Sequence, residues 1–184
     1  MNLSVKKLDE LKADIGENEL NKLLLTFKCS AEPAAEHFLK NTAIKHDMES
    51  ISRTYLAIGQ DGSGEDKFGS DTVKGFFTLA IKCLSVDEYD PIPKDILEQM
   101  NINNKIAQAY LLGQLAKADG VEKGFGKEMI RQALNAFAKG KEMFGCRVVR
   151  LDCKDRMIDY YESCGFSFVR KNNDRELNQM VAII

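Results

Sequence analysis

Residues 111–130 read Leu111-Leu-Gly-Gln-Leu-Ala-Lys-Ala-Asp-Gly-Val-Glu-Lys-Gly-Phe-Gly-Lys-Glu-Met-Ile130, and their order decides the fold. An apolar run from Lys105 to Ala116 has the character of a strand. Gly120, Gly124 and Gly126 follow it. From Gly126 the pattern changes period: Met129, Ile130, Ala133, Leu134, Phe137 and Ala138 fall on one helical face. Strand, glycine loop and amphipathic helix in succession make an anion cradle. Glycine lets backbone N–H groups approach a ligand with no Cβ in the way. The first turn of a helix leaves such groups unpaired and aims the positive end of its dipole at the same place. Phosphate is the natural guest, and Lys123 and Lys127 add charge.

Three phosphate loops compete for this stretch. A Walker A loop needs four residues between its first glycine and Gly-Lys-Ser/Thr. Here Gly120 stands one residue too far from Gly126-Lys127, and Glu128 replaces the metal-binding hydroxyl. A Rossmann fingerprint needs a third glycine where Met129 stands. The pyrophosphate loop of acyl-CoA enzymes fits better. On Val121-Glu-Lys-Gly-Phe-Gly126, and on Tyr160-Tyr-Glu-Ser-Cys-Gly-Phe166 further along, the chain resembles the GNAT superfamily of acetyl-CoA-dependent N-acetyltransferases. Gly75-Phe-Phe-Thr-Leu-Ala80 is a softer third match, and the resemblance covers roughly Lys74 to Ile184. Phe27, Cys29, Phe38-Leu39 and Arg53-Thr-Tyr-Leu56 look like the subgroup that holds bacterial toxins acetylating aminoacyl-tRNA.

The resemblance implies an α/β fold with a mixed, mostly antiparallel central sheet, helices on both faces, and fourth and fifth strands that splay apart. It implies one domain, with residues 1–72 on the acceptor side and residues 73–184 as the acetyl-CoA-binding core. Carried over by position, the backbone of Leu115, Ala116 and Lys117 holds the pantetheine arm, and Val121, Glu122, Lys123, Gly124, Phe125, Gly126 and Lys127 hold the pyrophosphate. Tyr161 becomes the general acid for the departing thiolate, since a phenol with pKa near ~10 keeps its proton until needed. The implied reaction moves acetyl directly to a primary amine of a small molecule or peptide. Acetylation of aminoacyl-tRNA and a non-catalytic CoA-binding module are the alternatives. The departures lie at Val121, where the family has Gln or Arg, at Glu122, a negative charge beside the pyrophosphate, and at Lys154, where many members have Asn.

Working outward, the 184 residues carry 26 basic and 28 acidic groups, a formal charge of −2, too balanced for a nucleic-acid coat or a membrane-surface patch. Residues 1–122 have a net charge of −6 and residues 123–184 of +4. A basic groove for tRNA would draw on Arg147, Arg150, Lys154, Arg156, Arg170, Lys171 and Arg175. Five acids interleave with them, which disfavours tRNA on charge. Five cysteines without C-x-x-C spacing, and two histidines nine residues apart, predict neither a zinc site nor a disulfide framework. No apolar leader or long apolar run occurs, so the expected setting is the cytoplasm, with no membrane and with room for a homodimer.

The remaining pattern predicts a strand over 2–8, helices over 17–27 and from Pro33 to about His46, and a long-looped hairpin of Arg53–Ile58 with Val73–Ile81. It predicts a short helix near Lys94–Met100, a strand over 147–152, a helix over 155–163, and strands over 166–170 and 180–184.

Overall fold

The computed structural model describes residues 4–59, 72–172 and 176–184. Residues 61–71 of the predicted long hairpin loop, and Arg175 of the expected basic groove, lie outside them. The chain divides into two compact units: Met1–Leu79 with Gln114–Gln132, and Ala80–Gly113 with Ala133–Ile184.

In the first unit, strand β1 (Ser4–Lys7) leads directly into helix α1 (Leu8–Ile15). Leu8, Leu11 and Ile15 recur at helical spacing, with Leu8 and Leu11 buried. Helix α2 (Glu17–Thr26) buries Leu20, Leu23 and Leu24. The predicted helix after Pro33 is two helices, α3 (Pro33–Asn41) and α4 (Ala43–Met48). They part at Thr42, whose φ of −126° leaves the helical range.

Strands β2 (Arg53–Ile58) and β3 (Val73–Ile81) form the expected antiparallel hairpin, with Tyr55 opposite Phe77 and Leu56 opposite Phe76. β1 pairs with the outer edge of β2. The two-residue alternation of strands sorts the faces. Phe76 points into the core under α2 and α3, edge-on to Phe27 at 5.5 Å and stacked with Phe38 at 6.3 Å. Leu39, Leu56, Ile58 and Ala116 complete that cluster. Burying a phenyl ring this fully contributes about 1.5–3 kcal/mol. On the opposite face Tyr55 stacks on Phe77 at 5.1 Å. There a Cβ built on Gly75 would lie 2.6 Å from Met129 Sδ and 2.9 Å from the Ala116 carbonyl oxygen. Helices therefore cover both faces.

The predicted strand over 105–116 divides in two. β5 (Ile106–Ala107) pairs with β4 (Leu84–Ser85), a two-residue strand with no pattern to announce it, in a small separate ladder. β6 (Tyr110–Lys117) joins the main sheet. A short helix, α5 (Lys94–Gln99), lies between β4 and β5. Helix α6 (Phe125–Phe144) follows the glycine loop. In the second unit Phe137 of α6 stacks on Tyr110 at 4.9 Å, and the Tyr110 hydroxyl donates to the Gly145 carbonyl at 2.9 Å.

β7 (Val148–Cys153) pairs in parallel with β6 and antiparallel with β9 (Asn178–Ile183). β8 (Ser167–Lys171) completes the edge, with a register shift between Phe168 and Arg170. The order is β1-β2-β3-β6-β7-β9-β8, antiparallel apart from β6–β7 wherever the register is given. β6 and β7 are the fourth and fifth strands of this sheet in chain order. Their ladder pairs Tyr110–Leu112 with Val149–Leu151 and stops there, although both strands run on. No helix among the described residues is long and apolar enough to cross a membrane.

Candidate functional site

The edge of β6 is the first component. The Ala118 and Gln114 N–H groups both donate towards β3, to the Lys74 carbonyl at 2.8 Å and the Thr78 hydroxyl at 2.7 Å. Alternation sends the backbone of Ala116 the same way, and that of Gly113, Leu115 and Lys117 to the opposite edge. Of the three residues expected to hold a pantetheine arm, Leu115 and Lys117 present free-edge groups. Ala116 faces β3.

The loop is the second component. Gly124 has φ of +92°, and Gly124 O receives the Lys127 N–H at 3.0 Å, so the first helical turn closes onto it. Phe125, buried, anchors the start of α6. The Val121 N–H is used within the loop, on the Ala118 carbonyl at 3.3 Å. Among the described residues nothing accepts from the N–H groups of Glu122, Lys123, Gly124, Phe125 or Gly126. Five consecutive amide donors at the positive end of a 20-residue helix have the chemistry an anion would need. Of the seven predicted loop residues, Val121 and Lys127 have their N–H groups engaged in the chain, and the other five do not.

Two side chains fix this loop. Asp119 donates its N–H to the Lys28 carbonyl at 2.9 Å, and its carboxylate accepts from the Ser30 amide at 3.0 Å and the Ser30 hydroxyl at 2.7 Å. Lys117 Nζ donates to the carbonyl oxygens of Val121 and, at 3.2 Å, Glu122. The neighbouring Cys29 N–H donates to Glu36 at 2.8 Å. That bond, with the Lys40 ammonium, holds the Glu36 carboxyl at about 2. Further along α6, Arg131 and Gln132 hold Glu128 at about 2, so it is an anion directed along the helix surface.

The second unit, taken by itself, holds the other motif singled out by the sequence. After β7 a 3₁₀ turn (Asp155–Met157) precedes helix α7 (Ile158–Glu162), where the sequence predicted one helix over 155–163. Asp155 accepts from Asn178 Nδ2 at 2.7 Å and pairs with Lys171 at 3.1 Å, and both contacts lower its pKa. Asn178, buried, also donates to the Cys153 carbonyl at 3.3 Å, tying this turn to β9. Tyr161 is 9% exposed, edge-on to Tyr160 at 5.3 Å and to Phe166 at 5.9 Å. Its carbonyl accepts from Cys164 and Phe166, and Gly165 turns the chain at φ of +88°. Burial pushes the Tyr160 hydroxyl up to about 12. The Cys153 thiol is pushed up to about 11 by burial, and the buried Cys29 thiol is also raised, so neither is a thiolate at neutral pH.

The arginines proposed for a basic groove behave differently from the expectation. Arg150 is 3% exposed, donating to the Cys83 carbonyl at 2.9 Å and to Asp152 at 2.7 Å. Arg170 donates to the Ser85 carbonyl and to Asp87 at 2.9 Å. Both pin the insert between β3 and β6, and their charge is neutralised there. Asp152 lies two residues from Arg150, but sequence spacing carried no sign of the contacts to the insert, whose residues lie 67 to 85 positions away. Among the described residues no group of His, Cys, Asp and Glu is arranged to hold a metal ion.

A seven-stranded sheet with a parallel β6–β7 pair that parts after three residues, followed by an amide-lined loop and a long helix, is the GNAT fold. Solved structures that share it include bacterial toxins. AtaT complexed with acetyl-methionyl-tRNAfMet matches with a TM-score of 0.70 at 19% identity, over 96% of this chain and 94% of that one. A mutant of KacT matches with a TM-score of 0.73 at 16% identity, over 100% and 95%. A mutant AtaT toxin bound to the C-terminus of the antitoxin AtaR and acetyl-CoA matches with 0.65 at 17%, over 100% and 94%. No family model and no curated protein matches the sequence.

Proposed function

We propose that this protein is an acetyl-CoA-dependent N-acetyltransferase whose acceptor is the amino group of an aminoacyl-tRNA. The observation that carries the reading is the match to AtaT in complex with acetyl-methionyl-tRNAfMet, which extends over 96% of the chain and so includes the helical N-terminal part assigned to the acceptor side. The five free amides from Glu122 to Gly126 support it from the chemistry, since they fit a diphosphate better than any group the chain itself supplies.

Acetyl-CoA, when bound, supplies an acetyl group activated as a thioester. The amides of Glu122 to Gly126 bind its diphosphate, and the free-edge backbone of Leu115 and Lys117 orients its arm as a neighbouring strand would. An edge N–H aimed at the acetyl oxygen stabilises the charge that develops there, worth about 3–4 kcal/mol of barrier. The Tyr161 phenol holds the proton that the departing sulfur takes. The acceptor would attack as a neutral amine, the proton its nitrogen sheds passing to water and the Tyr161 phenolate regaining one from water, and no enzyme-bound acyl group is needed.

The test is transfer of labelled acetyl from acetyl-CoA to a charged tRNA pool. Label in N-acetylaminoacyl-tRNA is the expected result. Label in polyamines or peptides but not in tRNA would overturn the acceptor. No rise in Tm at millimolar acetyl-CoA would overturn the cofactor. A small-molecule or peptide amine remains the second reading because of Arg150 and Arg170, whose inward pairing removes two cations from the groove that tRNA would use.

A further inference from the structure

The sequence departs from the GNAT loop pattern at Val121, which has no polar side chain to close the loop. Lys117 takes that place from the strand: its ammonium donates to two successive carbonyl oxygens, those of Val121 and Glu122. Among the described residues no peptide bond is cis. In a planar trans peptide the C=O and N–H vectors are antiparallel. Holding the Val121 and Glu122 carbonyls on the Lys117 side therefore turns the N–H groups of Glu122 and Lys123 to the opposite side. These are two of the five donors without an acceptor among the described residues.

From this geometry we infer that Lys117 is the positioning residue of the diphosphate site: it sets the direction of the loop amides through their carbonyls, before any ligand arrives. Strand parity makes this arrangement available. Ala116 is buried under α2 and α3, so Lys117 emerges on the face where α6 packs against β3. Asp119, held by Lys28 and Ser30, fixes the strand side of the same loop, leaving Lys117 to orient its middle. The contact also offsets Glu122: a cation bound to that residue's own carbonyl lies beside the carboxylate-bearing position that departs from the family pattern. A lysine whose donors are committed to carbonyls differs from one that reaches out to phosphate, because its effect exists in the free protein.

The inference rests on the acetyl-CoA reading for its functional meaning, but its first test does not. Backbone 15N order parameters of residues 120–126 in the ligand-free protein are expected near about 0.85 and to fall below about 0.6 in Lys117→Met. Lys117→Arg, which can still donate to two carbonyls, restores them. Acetyl-CoA binding is expected to weaken roughly tenfold in Lys117→Met, the size of one lost charge-assisted hydrogen bond. Turnover with acetyl-pantetheine, which lacks the diphosphate, is expected to fall less than turnover with acetyl-CoA. Unaltered order parameters in Lys117→Met, or an equal loss with acetyl-CoA and acetyl-pantetheine, would overturn the role of Lys117. Wild-type protein that binds no acetyl-CoA, yet shows the order-parameter change, would overturn the cofactor reading and leave the clamp standing.

Discussion

Two turns of this molecule hinge on a left-handed glycine and use it to opposite ends. At Gly124, φ +92°, the chain enters a helix, and the five amides around it find no acceptor among the described residues. At Gly165, φ +88°, the chain leaves a helix, and the amides of Ser163, Cys164, Gly165 and Phe166 are all taken by the preceding turn. The first turn keeps donors in reserve for a ligand. The second consumes its donors to hold Tyr161 and Phe166 in one arrangement. Both cost the same kind of backbone strain for any other residue. On the proposed reading one binds and the other positions, and a single substitution in each should separate affinity from rate.

The largest expected effect comes from the positioning turn. Tyr161→Phe should lower kcat by roughly 10²–10⁴-fold with acetyl-CoA affinity unchanged, as removal of a proton donor requires. A full rate in that variant would break the comparison. Next, Gly124→Ala and Gly165→Ala should each cost about 1–2 kcal/mol, because no neighbouring atom obstructs the new methyl and the strain is in the backbone. Their catalytic signatures should diverge: weaker acetyl-CoA binding for the first, reduced kcat at unaltered binding for the second. An effect of similar size, confined to stability, concerns Glu36. Its carboxylate is favoured by folding, so its contribution is complete above the unfolded pKa near 4.5 and fades as pH falls towards about 2. Glu36→Gln should cost about 1–2 kcal/mol at pH 7 and converge with the wild type near pH 2 in chemical denaturation.

The same comparison explains what the sequence reveals. Period and glycine placement are local, so the β2–β3 hairpin, β6, the loop and α6 are all legible, to within a residue or two at most of their ends. Lys117 was expected to act only through its backbone. Its side-chain role follows from strand parity combined with the missing polar group at Val121, a signal present in the sequence but spread over two elements. The fates of Arg150 and Arg170 are of another kind. A count of charges treats them as surface, while the fold commits them to carbonyls in an insert far along the chain. β4 and β5 have two residues each, too short for any alternation to register. The division of the helix at Thr42 is set by tertiary packing of Leu39 and Ala43 into one core, and no helix breaker stands there to announce it.

Gly75, fifty residues before the helix it touches, governs how low that helix can ride. With only hydrogen at this position, Met129 and the Ala116 carbonyl both close over β3. A methionine thioether can swing aside for a methyl group, but a main-chain oxygen inside a ladder cannot. A methyl group would press β6 away from β3, and a bulkier side chain would also lift the first turns of α6, with the amide array at its tip. The altitude of the ligand-binding end is thus written into the hairpin, in a residue that need never meet the ligand.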